Sequence, residues 1–339
     1  MKAIIMAGGM GTRLRAVTGE TPKPMVPLLG RPMMEHIVNL LRENGFTEIC
    51  AALRYRAGDI MAYFGDGSRF GVSMQYRIES EPLGTAGGVK NCLDFCDGED
   101  FLVISGDAAC DFELKALMLE HKARGAAVTL ALHHEPEPLS YGLAVTDEHF
   151  RIRGFVEKPD WPHVVTDLVN TGIYAVSPRA MALVPENTPY DFAKDLFPAL
   201  MRRGETLIGL SLPGYWCDVG DPASYYRCCS DALSGKLRLD LPESFRRSSV
   251  DAAPDDCCEG GIDCDCRSRA ELMGALSELF LDLGADYSDG LTLDTDRFKL
   301  RIAPLRNRSA VRISVDSSDA EFASELALSA KELIEALNL

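Results

Sequence analysis

Short apolar segments alternate with segments of helical spacing through residues 1–235, and this alternation constrains the fold more than any other feature. Residues 32–44 carry apolar side chains on one helical face and are followed by Gly45, a typical helix stop. Strand-like runs occur at 2–7, 47–53, 101–105, 126–132, 143–146, 152–156, 172–176 and 207–212. The pattern predicts an α/β domain with a Rossmann-like, mostly parallel mixed sheet flanked by helices, whose ligands bind at the carboxyl ends of the strands.

The pattern changes after this first domain. Residues 236–265 are polar and lack periodicity, so we expect a linker there. Residues 266–339 begin with helical spacing, continue with alternating apolar residues at 298–302 and 311–315, and end with a second amphipathic segment. This order predicts a separate, small α+β domain at the C-terminus.

Charge and hydropathy restrict the partners of the chain. The formal net charge is -16, which would repel nucleic acids and anionic membranes. A small phosphorylated ligand remains compatible, because a few local cations outweigh the global charge at short range. No apolar stretch approaches the ~20 residues that cross a bilayer, and the N-terminal apolar run is too short for a secretory signal. We therefore expect a cytoplasmic protein with neither a nucleic-acid nor a membrane partner.

The 11 cysteines are scattered and odd in number, which does not suggest a disulfide framework. We interpret them as reduced thiols. Four of them lie close together at Cys257, Cys258, Cys264 and Cys266, but their spacing differs from the CxxC pairs of common zinc sites. Whether these four bind a metal stays open at this point.

The first predicted strand leads directly into the run AGGMGTRLR at residues 7–15. Closely spaced glycines allow backbone N–H groups to approach phosphate oxygens, and the two arginines add fixed positive charge. Neither a Walker loop nor the dinucleotide fingerprint matches this spacing. A second segment, TPKPM at residues 21–25, holds Lys23 between two prolines, which stiffen the backbone around it. Together the two segments favour a phosphate-binding site.

These two segments belong to a longer pattern. Residues 1–32 resemble the sugar-nucleotidyltransferase (nucleotidyl sugar pyrophosphorylase) family, whose signature is GGxGTRLxPxTxxxPKPxxPxxGxP. The chain departs from it at Ala16, where the family usually has proline. The resemblance continues through Asp221, about two-thirds of the chain. It implies a magnesium-dependent enzyme that transfers a nucleotidyl group from a nucleoside triphosphate to a sugar 1-phosphate and releases pyrophosphate.

The resemblance also assigns roles to individual residues. It implies nucleotide contacts at Ala7, Gly8, Gly9, Gly11, Thr12, Arg13, Glu81, Gly84 and Thr85. It implies sugar contacts at Tyr141, Gly142, Glu157, Lys158, Asn170 and Thr171. The catalytic cations would be Arg13, Lys23 and Lys158, and the Mg²⁺ ligands would be Asp107 and Asp218.

Two segments bear on the substrate. EPLGTAG at 81–87 and YDFAKDLFP at 190–198 resemble the mannose-1-phosphate guanylyltransferase branch, which makes GDP-mannose from GTP and mannose 1-phosphate. A UTP or dTTP:glucose-1-phosphate nucleotidyltransferase shares much of this pattern and remains an alternative. A catalytically silent sugar-nucleotide sensor is another, although it would not need both metal carboxylates.

The C-terminal residues 266–339 resemble the last domain of the phosphohexomutases (phosphomannomutase type). The phosphate loop of that family is degenerate here, since residues 305–309 read LRNRS. The mutase phosphoserine and metal domains are absent from this sequence. The resemblance leaves three roles open: a structural element, a homo-oligomer contact, or an anion sensor that uses Arg306 and Arg308.

Overall fold

The computed structural model describes residues 1–9, 21–240, 261–266, 268, 272–276, 285–287, 290–294, 298–305, 309–316, 326, 327, 330, 331, 334, 335 and 337. The chain divides into two compact units. The first unit comprises Met1–Leu132, Thr146–Ile152 and Thr171–Ala252, and the second His133–Val145, Arg153–Asn170 and Ala253–Leu339. No helix within the described ranges has the length and apolarity to cross a membrane.

The strands, numbered along the chain, are β1 (Lys2–Ala7), β2 (Pro27–Leu28), β3 (Arg31–Pro32), β4 (Glu48–Leu53), β5 (Ser73–Ile78), β6 (Phe101–Ser105), β7 (Ala108–Cys110), β8 (Val128–His134), β9 (Gly142–Thr146), β10 (Ile152–Glu157), β11 (Leu168–Val176), β12 (Leu207–Ser211), β13 (Trp216–Asp218), β14 (Gly261–Asp265), β15 (Leu291–Asp294), β16 (Lys299–Pro304) and β17 (Ala310–Asp316). The α-helices are α1 (Met33–Glu43), α2 (Ala57–Phe64), α3 (Gly84–Lys90), α4 (Leu114–Arg124), α5 (Pro178–Met181), α6 (Phe197–Arg202) and α7 (Pro222–Leu233).

The first unit is built on a mixed, mostly parallel sheet. Strand β1 runs between β4 and β6, β5 extends the sheet beyond β4, and all four strands are parallel. Strand β11 lies antiparallel to β6, with Tyr174 opposite Val103, and β12 lies parallel to β8. This topology confirms the sheet type predicted from the alternating pattern.

The central strands are buried on both faces, as expected for parallel strands. Ala3, Ile4 and Ile5 of β1 have no exposed surface. Helix α1 buries one face in the same unit and begins directly after Pro32. The predicted helix at 32–44 therefore differs from the observed one by one residue at each end.

A short two-stranded sheet lies beside the carboxyl end of β6. Strand β7 follows β6 after a turn, and β13 pairs with it antiparallel, with Asp218 opposite Ala108. Although β13 is more than a hundred residues away in sequence, this pairing holds its last residue next to the end of β6.

The second unit contains a four-stranded antiparallel sheet in the order β14-β17-β16-β15. Strands β16 and β17 overlap the alternating segments at 298–302 and 311–315, with bounds that differ by one or two residues. Strand β14 was not expected, because it lies inside the stretch 236–265 that we interpreted as a linker. Its inward positions are taken by Ile262 and Cys264, while aspartates occupy the alternate positions, so it lacks the apolar run that marks a buried strand. Cys264 and the following Cys266 are buried in the hydrophobic core of this unit.

Candidate active site

Lys23 joins two aspartates that come from distant parts of the sequence. Its Nζ lies 2.7 Å from Asp107 Oδ2 and 3.3 Å from Asp218 Oδ1. Both carboxylates thus lie within 3.3 Å of the same nitrogen. The hydroxyl of Ser105, at the end of β6, donates a further hydrogen bond to Asp107. The sequence singled out Lys23, Asp107 and Asp218 separately, and the fold brings them together in the first unit.

Local sequence explains how each member of this cluster is held. Lys23 begins a 3₁₀ turn, Lys23–Met25, between Pro22 and Pro24, and only 8% of its surface is exposed. Asp107 follows the carboxyl end of β6, where Gly106 donates its backbone N–H to the carbonyl of Met6 at 2.8 Å. A Cβ at Gly106 would lie 3.1 Å from atoms of β1, so glycine allows this close approach.

The charges of the cluster stabilise one another. Burial alone would lower the pKa of Lys23, but the carboxylates of Asp107 and Asp218 raise it above its ordinary value. Burial likewise would raise the pKa of Asp107, yet the charge and hydrogen bond of Lys23, with the hydroxyl of Ser105, hold it below its usual range. The lysine is therefore cationic and Asp107 anionic at neutral pH.

Asp111 fixes the strand that carries Asp218, and no sequence motif marked it. Its Oδ1 accepts the backbone N–H of Tyr215 at 2.7 Å, and its Oδ2 accepts the backbone N–H and the Nε–H of Arg238 at 3.0 and 3.2 Å. Gly214 adopts φ +124°, and a Cβ there would lie 2.5 Å from Asp111 Oδ1. The buried carboxylate thus ties the start of β13 to β7, which sets the position of Asp218.

A cleft of about 350 Å³ in the first unit contains Asp107 on its wall. Its lining combines glycine backbone with a few polar side chains: Met6, Gly8, Gly9, Ala52, Arg54, Glu79, Pro82, Gly84, Thr85, Gly88, Ser105, Asp107 and Asp191. The nucleotide contacts implied at Gly8, Gly9, Gly84 and Thr85 are among these residues. Ala7 is buried at the end of β1, and Gly11, Thr12 and Arg13 lie outside the described residues.

The segment around Gly84 depends on glycine. Gly84 adopts φ +70°, and a Cβ there would lie 2.7 Å from the carbonyl oxygen of Tyr190. That carbonyl accepts the N–H groups of Ala86 and Gly87 at 2.9 and 3.0 Å. The two segments that suggested the guanylyltransferase branch, 81–87 and 190–198, therefore contact each other directly.

Thr85 also belongs to this contact. Its hydroxyl donates to Asp191 Oδ2 at 2.8 Å and accepts the N–H of Phe192 at 2.9 Å. Asp191 in turn caps the π-helical turn Phe192–Leu196 by accepting the N–H of Ala193. Thr85 thus shapes the wall of the cleft through its contact with Asp191.

Glu79 faces the cleft, whereas Glu81, the residue named from the sequence, is exposed and does not line it. Glu79 Oε2 accepts the N–H of Leu83 at 3.2 Å, and Gly88 leaves room for Oε1, since a Cβ there would overlap it. Burial raises the pKa of Glu79 above its ordinary value. The signal in the sequence was its position one residue after β5, but β5 is too polar to be recognised by pattern.

Arg54, one residue beyond β4, is another cleft residue that the sequence did not indicate. Its Cβ lies 3.6 Å from the position that a Cβ on Gly8 would occupy. Arg54 follows a predicted strand, and residues at strand ends are expected to lie near a ligand. Its position could therefore have been predicted, but no motif marked it.

The second unit holds five of the six implied sugar contacts. Lys158 donates its backbone N–H to the carbonyl of Tyr141 at 3.0 Å, and adopts φ +44°, which is uncommon for a residue with a side chain. A Cβ on Gly142 would lie 2.9 Å from Glu157 Oε2, so glycine makes room for that carboxylate. Asn170, also in this unit, is half-buried.

Thr171, the sixth implied sugar contact, belongs to the first unit and is only 3% exposed. Its hydroxyl donates to the carbonyl of Ala131 at 2.7 Å, and its own carbonyl accepts the indole N–H of Trp216 at 3.2 Å. The side chain therefore joins β11 to β8 inside the core, and the backbone carbonyl joins β11 to β13.

This mixed sheet, with Asp107 just beyond β6 and Asp218 at the end of β13, defines an α/β protein whose charged side chains gather near the carboxyl end of a central strand. The nucleotidyl transferase family matches residues 2–235, and the chain belongs to this family.

Individual relatives extend this comparison. The UTP–glucose-1-phosphate uridylyltransferase of Synechocystis sp. is 36% identical over 251 residues, which are 70% of this chain and 65% of the relative. The mannose-1-phosphate guanylyltransferase of Mycobacterium tuberculosis is 33% identical over 234 residues, 69% of this chain and 65% of the relative. The crystal structure of HddC from Yersinia pseudotuberculosis, complexed with GMP-PN, matches with a TM-score of 0.59 and 27% identity, covering 68% of this chain and 98% of HddC. The chain thus spans 65% of the length of each of these two curated relatives.

Gly84→Ala tests the wall of the cleft. We expect nucleotide affinity to fall roughly tenfold, because the αL conformation costs a side-chain residue about 1–2 kcal/mol even before the overlap with Tyr190. The measurement is nucleotide binding by titration calorimetry. Gly58→Ala is the matched control, since a Cβ there has nothing within 4 Å and the helix position favours alanine. Equal effects of the two substitutions would show that the left-handed turn at Gly84 does not shape the nucleotide site.

Lys23→Met tests the electrostatics of the cluster. The wild-type pKa of Asp107 is lowered, so its contribution to stability is complete above pH ~4 and is lost as pH falls through the folded value. Without the ammonium, Asp107 faces Asp218 and its pKa rises, so the variant gains relative stability on acidification. The difference in free energy of unfolding between wild type and variant should shrink between pH 7 and about pH 4.5.

Thermal and denaturant unfolding at several pH values measure this difference. Lys122→Met, on the exposed face of α4, makes the same chemical change without partners of this kind and should give a small, pH-independent difference. A Lys23→Met difference that stays constant with pH would show that the lysine does not set the charge state of Asp107.

Proposed function

We propose that this protein is a sugar-1-phosphate nucleotidyltransferase that uses GTP and mannose 1-phosphate to make GDP-mannose and pyrophosphate. The observation that carries the proposal is the meeting of Lys23, Asp107 and Asp218 beside a glycine-lined cleft. Family membership over residues 2–235 supports the reaction class. The curated relatives include both a guanylyltransferase and a uridylyltransferase, so the choice of base rests on the cleft itself.

The chemistry is an in-line displacement at phosphorus. A phosphate oxygen of the sugar 1-phosphate attacks the α-phosphorus of the triphosphate, a new P–O bond forms, and the bond to the pyrophosphate leaving group breaks. The nucleophile is already an anion, so no general base is required. The barrier arises mainly because two anions must meet, and catalysis therefore consists of positioning and charge neutralisation.

The donor set fits a divalent cation of the Mg²⁺ type. Asp107 Oδ2 and Asp218 Oδ1 lie 2.7 and 3.3 Å from Lys23 Nζ, so the two carboxylates are held near each other. Mg²⁺ in such enzymes is commonly held by one or two carboxylates together with substrate phosphates and water. When bound, the cation would neutralise charge on the triphosphate. Lys23 keeps the two carboxylates together and adds positive charge on the side where the phosphates bind.

Binding of the sugar phosphate is assigned to the second unit. Lys158 would bind the phosphate through its exposed ammonium, and Glu157 would accept hydrogen bonds from sugar hydroxyls. The positive φ of Lys158 and its backbone hydrogen bond to Tyr141 fix the backbone from which this side chain extends. Arg13 completes the set of cations in the proposal by resemblance.

We attribute the choice of guanine to Glu79 rather than Glu81. A carboxylate is an acceptor only, and guanine offers it two adjacent donors, N1–H and the exocyclic N2–H. Uracil and thymine offer a single N–H between two carbonyl oxygens, and a carboxylate would repel these oxygens. Because Glu79 is the acidic side chain of the 79–85 segment that lines the cleft, we assign base recognition to it.

The deciding experiment is a pyrophosphate-release screen of GTP, UTP, dTTP, ATP and CTP against mannose, glucose and galactose 1-phosphates with Mg²⁺. The proposal predicts the highest kcat/KM for GTP with mannose 1-phosphate. Asp107→Asn should lower kcat about 10²–10³-fold with folding intact, because it removes the negative charge that would hold the divalent cation beside the triphosphate. Asp94→Asn, an exposed carboxylate paired with Arg77, serves as the control. Tight nucleotide binding without turnover across the panel would favour a sensor instead.

Glu79→Gln tests the base assignment. An amide accepts only one of the two guanine donors well and can donate to a pyrimidine carbonyl, so the ratio of kcat/KM for GTP over UTP should fall at least about tenfold. Glu81→Gln is the matched control and should leave the ratio unchanged, since Glu81 lies outside the cleft. If the ratio of kcat/KM for GTP over UTP fell in Glu81→Gln but not in Glu79→Gln, base recognition would be assigned to Glu81, as the sequence suggested.

A further inference from the structure

Trp161 is the largest buried side chain of the second unit, and it lies three residues after Lys158. Only 1% of its surface is exposed. It begins the 3₁₀ turn Trp161–His163, and the intervening Pro159 is also buried. A tryptophan buried so near an exposed lysine indicates that the backbone carrying this lysine is anchored.

The core into which Trp161 is inserted is formed by C-terminal residues. The same hydrophobic cluster contains Cys264, Cys266, Leu272, Met273, Leu276, Leu291, Leu293, Leu300, Ile302, Val311, Ile313, Ala327, Ala330 and Ile334. Apart from Trp161, every buried member among the described residues lies beyond residue 260. Leu139 and Val164, which like Trp161 precede residue 170, also pack against this cluster.

The anchoring acts on both segments of the implied sugar site. Leu139 lies two residues before Tyr141, and Trp161 lies three residues after Lys158. Tyr141 and Lys158 are themselves joined by a backbone hydrogen bond of 3.0 Å. The C-terminal core therefore holds both ends of the Tyr141–Lys158 pair. The arrangement is stiff, since the left-handed backbone of Lys158 and the buried Pro159 lead directly into the 3₁₀ turn that begins at Trp161.

The sheet that supports this core is itself locked in register. Arg312 of β17 binds Asp263 of β14 through two parallel contacts, Nε to Oδ1 at 2.7 Å and Nη2 to Oδ2 at 3.1 Å. A bidentate pair of this kind fixes geometry as well as contributing energy. Strand β14, which the sequence suggested to be linker, is thus part of the platform beneath Trp161.

From this geometry we propose that Trp161 is a positioning residue through which the C-terminal domain orients Lys158 toward the sugar phosphate. The proposal rests on the function proposed above. It gives the mutase-like domain a role in sugar-phosphate binding that needs none of the lost phosphate-loop residues. Transfer reactions are sensitive to such positioning, because a misplacement of about 1 Å can cost roughly 10²-fold in rate.

Trp161→Ala should therefore raise the KM for mannose 1-phosphate roughly tenfold or more, while the KM for GTP changes by less than about threefold. In Trp161→Phe, both KM values should stay within about twofold of wild type, because the phenyl ring preserves most of the apolar contact of the indole. The indole N–H of Trp161 has no hydrogen-bond partner among the described residues, so phenylalanine removes no bond seen in this part of the chain.

Two further variants separate positioning from general loss of stability. Ile313→Ala removes apolar volume from the C-terminal side of the same cluster and should give the same sugar-selective rise in KM. Phe46→Ala creates a cavity in the first unit, where Phe46 is fully buried, and should lower the melting temperature without a selective change in either KM. All assays are performed on the full chain, well below its unfolding temperature.

Calorimetric binding of mannose 1-phosphate provides a readout that does not depend on turnover. Wild-type binding without turnover would refute the catalytic proposal but leave the comparison of Trp161 variants valid. Equal effects of Trp161→Ala on both substrates, unchanged sugar affinity, or failure of Trp161→Phe to restore it would overturn the positioning role. Absence of sugar-phosphate binding by the wild type would overturn both proposals.

Discussion

The ion cluster of Lys23, Asp107 and Asp218 is the interaction on which the site depends. It places one buried cation between two carboxylates that would otherwise repel each other at the carboxyl edge of the sheet. Each member is held by a different device: prolines around Lys23, a strand end before Asp107, and the Asp111 clamp behind Asp218. A site assembled in this way needs the correct pairing of β7 with β13 before it can exist.

The cleft of the first unit and the proposed sugar-binding segment of the second unit are built in different ways. In the first unit, the absence of side chains at Gly84 and Gly88 lets the Tyr190 carbonyl and the Glu79 carboxylate pack closely against the backbone of the cleft wall. In the second unit, bulk is added instead, since Trp161 and its apolar neighbours support an exposed lysine from below. The first arrangement favours close contact and the second favours a fixed direction.

Several elements could be predicted from the sequence because their signals are local. Helix α1 has 3.6-residue periodicity, β1 and β6 are continuous apolar runs, and the glycine and Pro-Lys-Pro segments have fixed spacings. Strand β5 was missed because it extends the sheet beyond β4 and carries polar residues, and β14 because aspartate alternates with only two apolar positions. Asp111 and Glu79 were missed because nothing in their neighbourhood distinguishes a clamp or a cleft wall from a solvated carboxylate.

Residue order alone was sufficient for the α/β class, the family resemblance, and the identity of the lysine and the two aspartates, since motifs and periodicity depend only on residues near each other in the chain. Folding into three dimensions was needed to establish that Glu79 rather than Glu81 lines the cleft, that the Thr171 hydroxyl is bonded within the core, and that Trp161 is embedded among C-terminal residues. Those outcomes depend on how side chains pack once the strands have paired, in most cases between residues tens to more than a hundred positions apart. Such packing leaves no periodic trace in a single sequence.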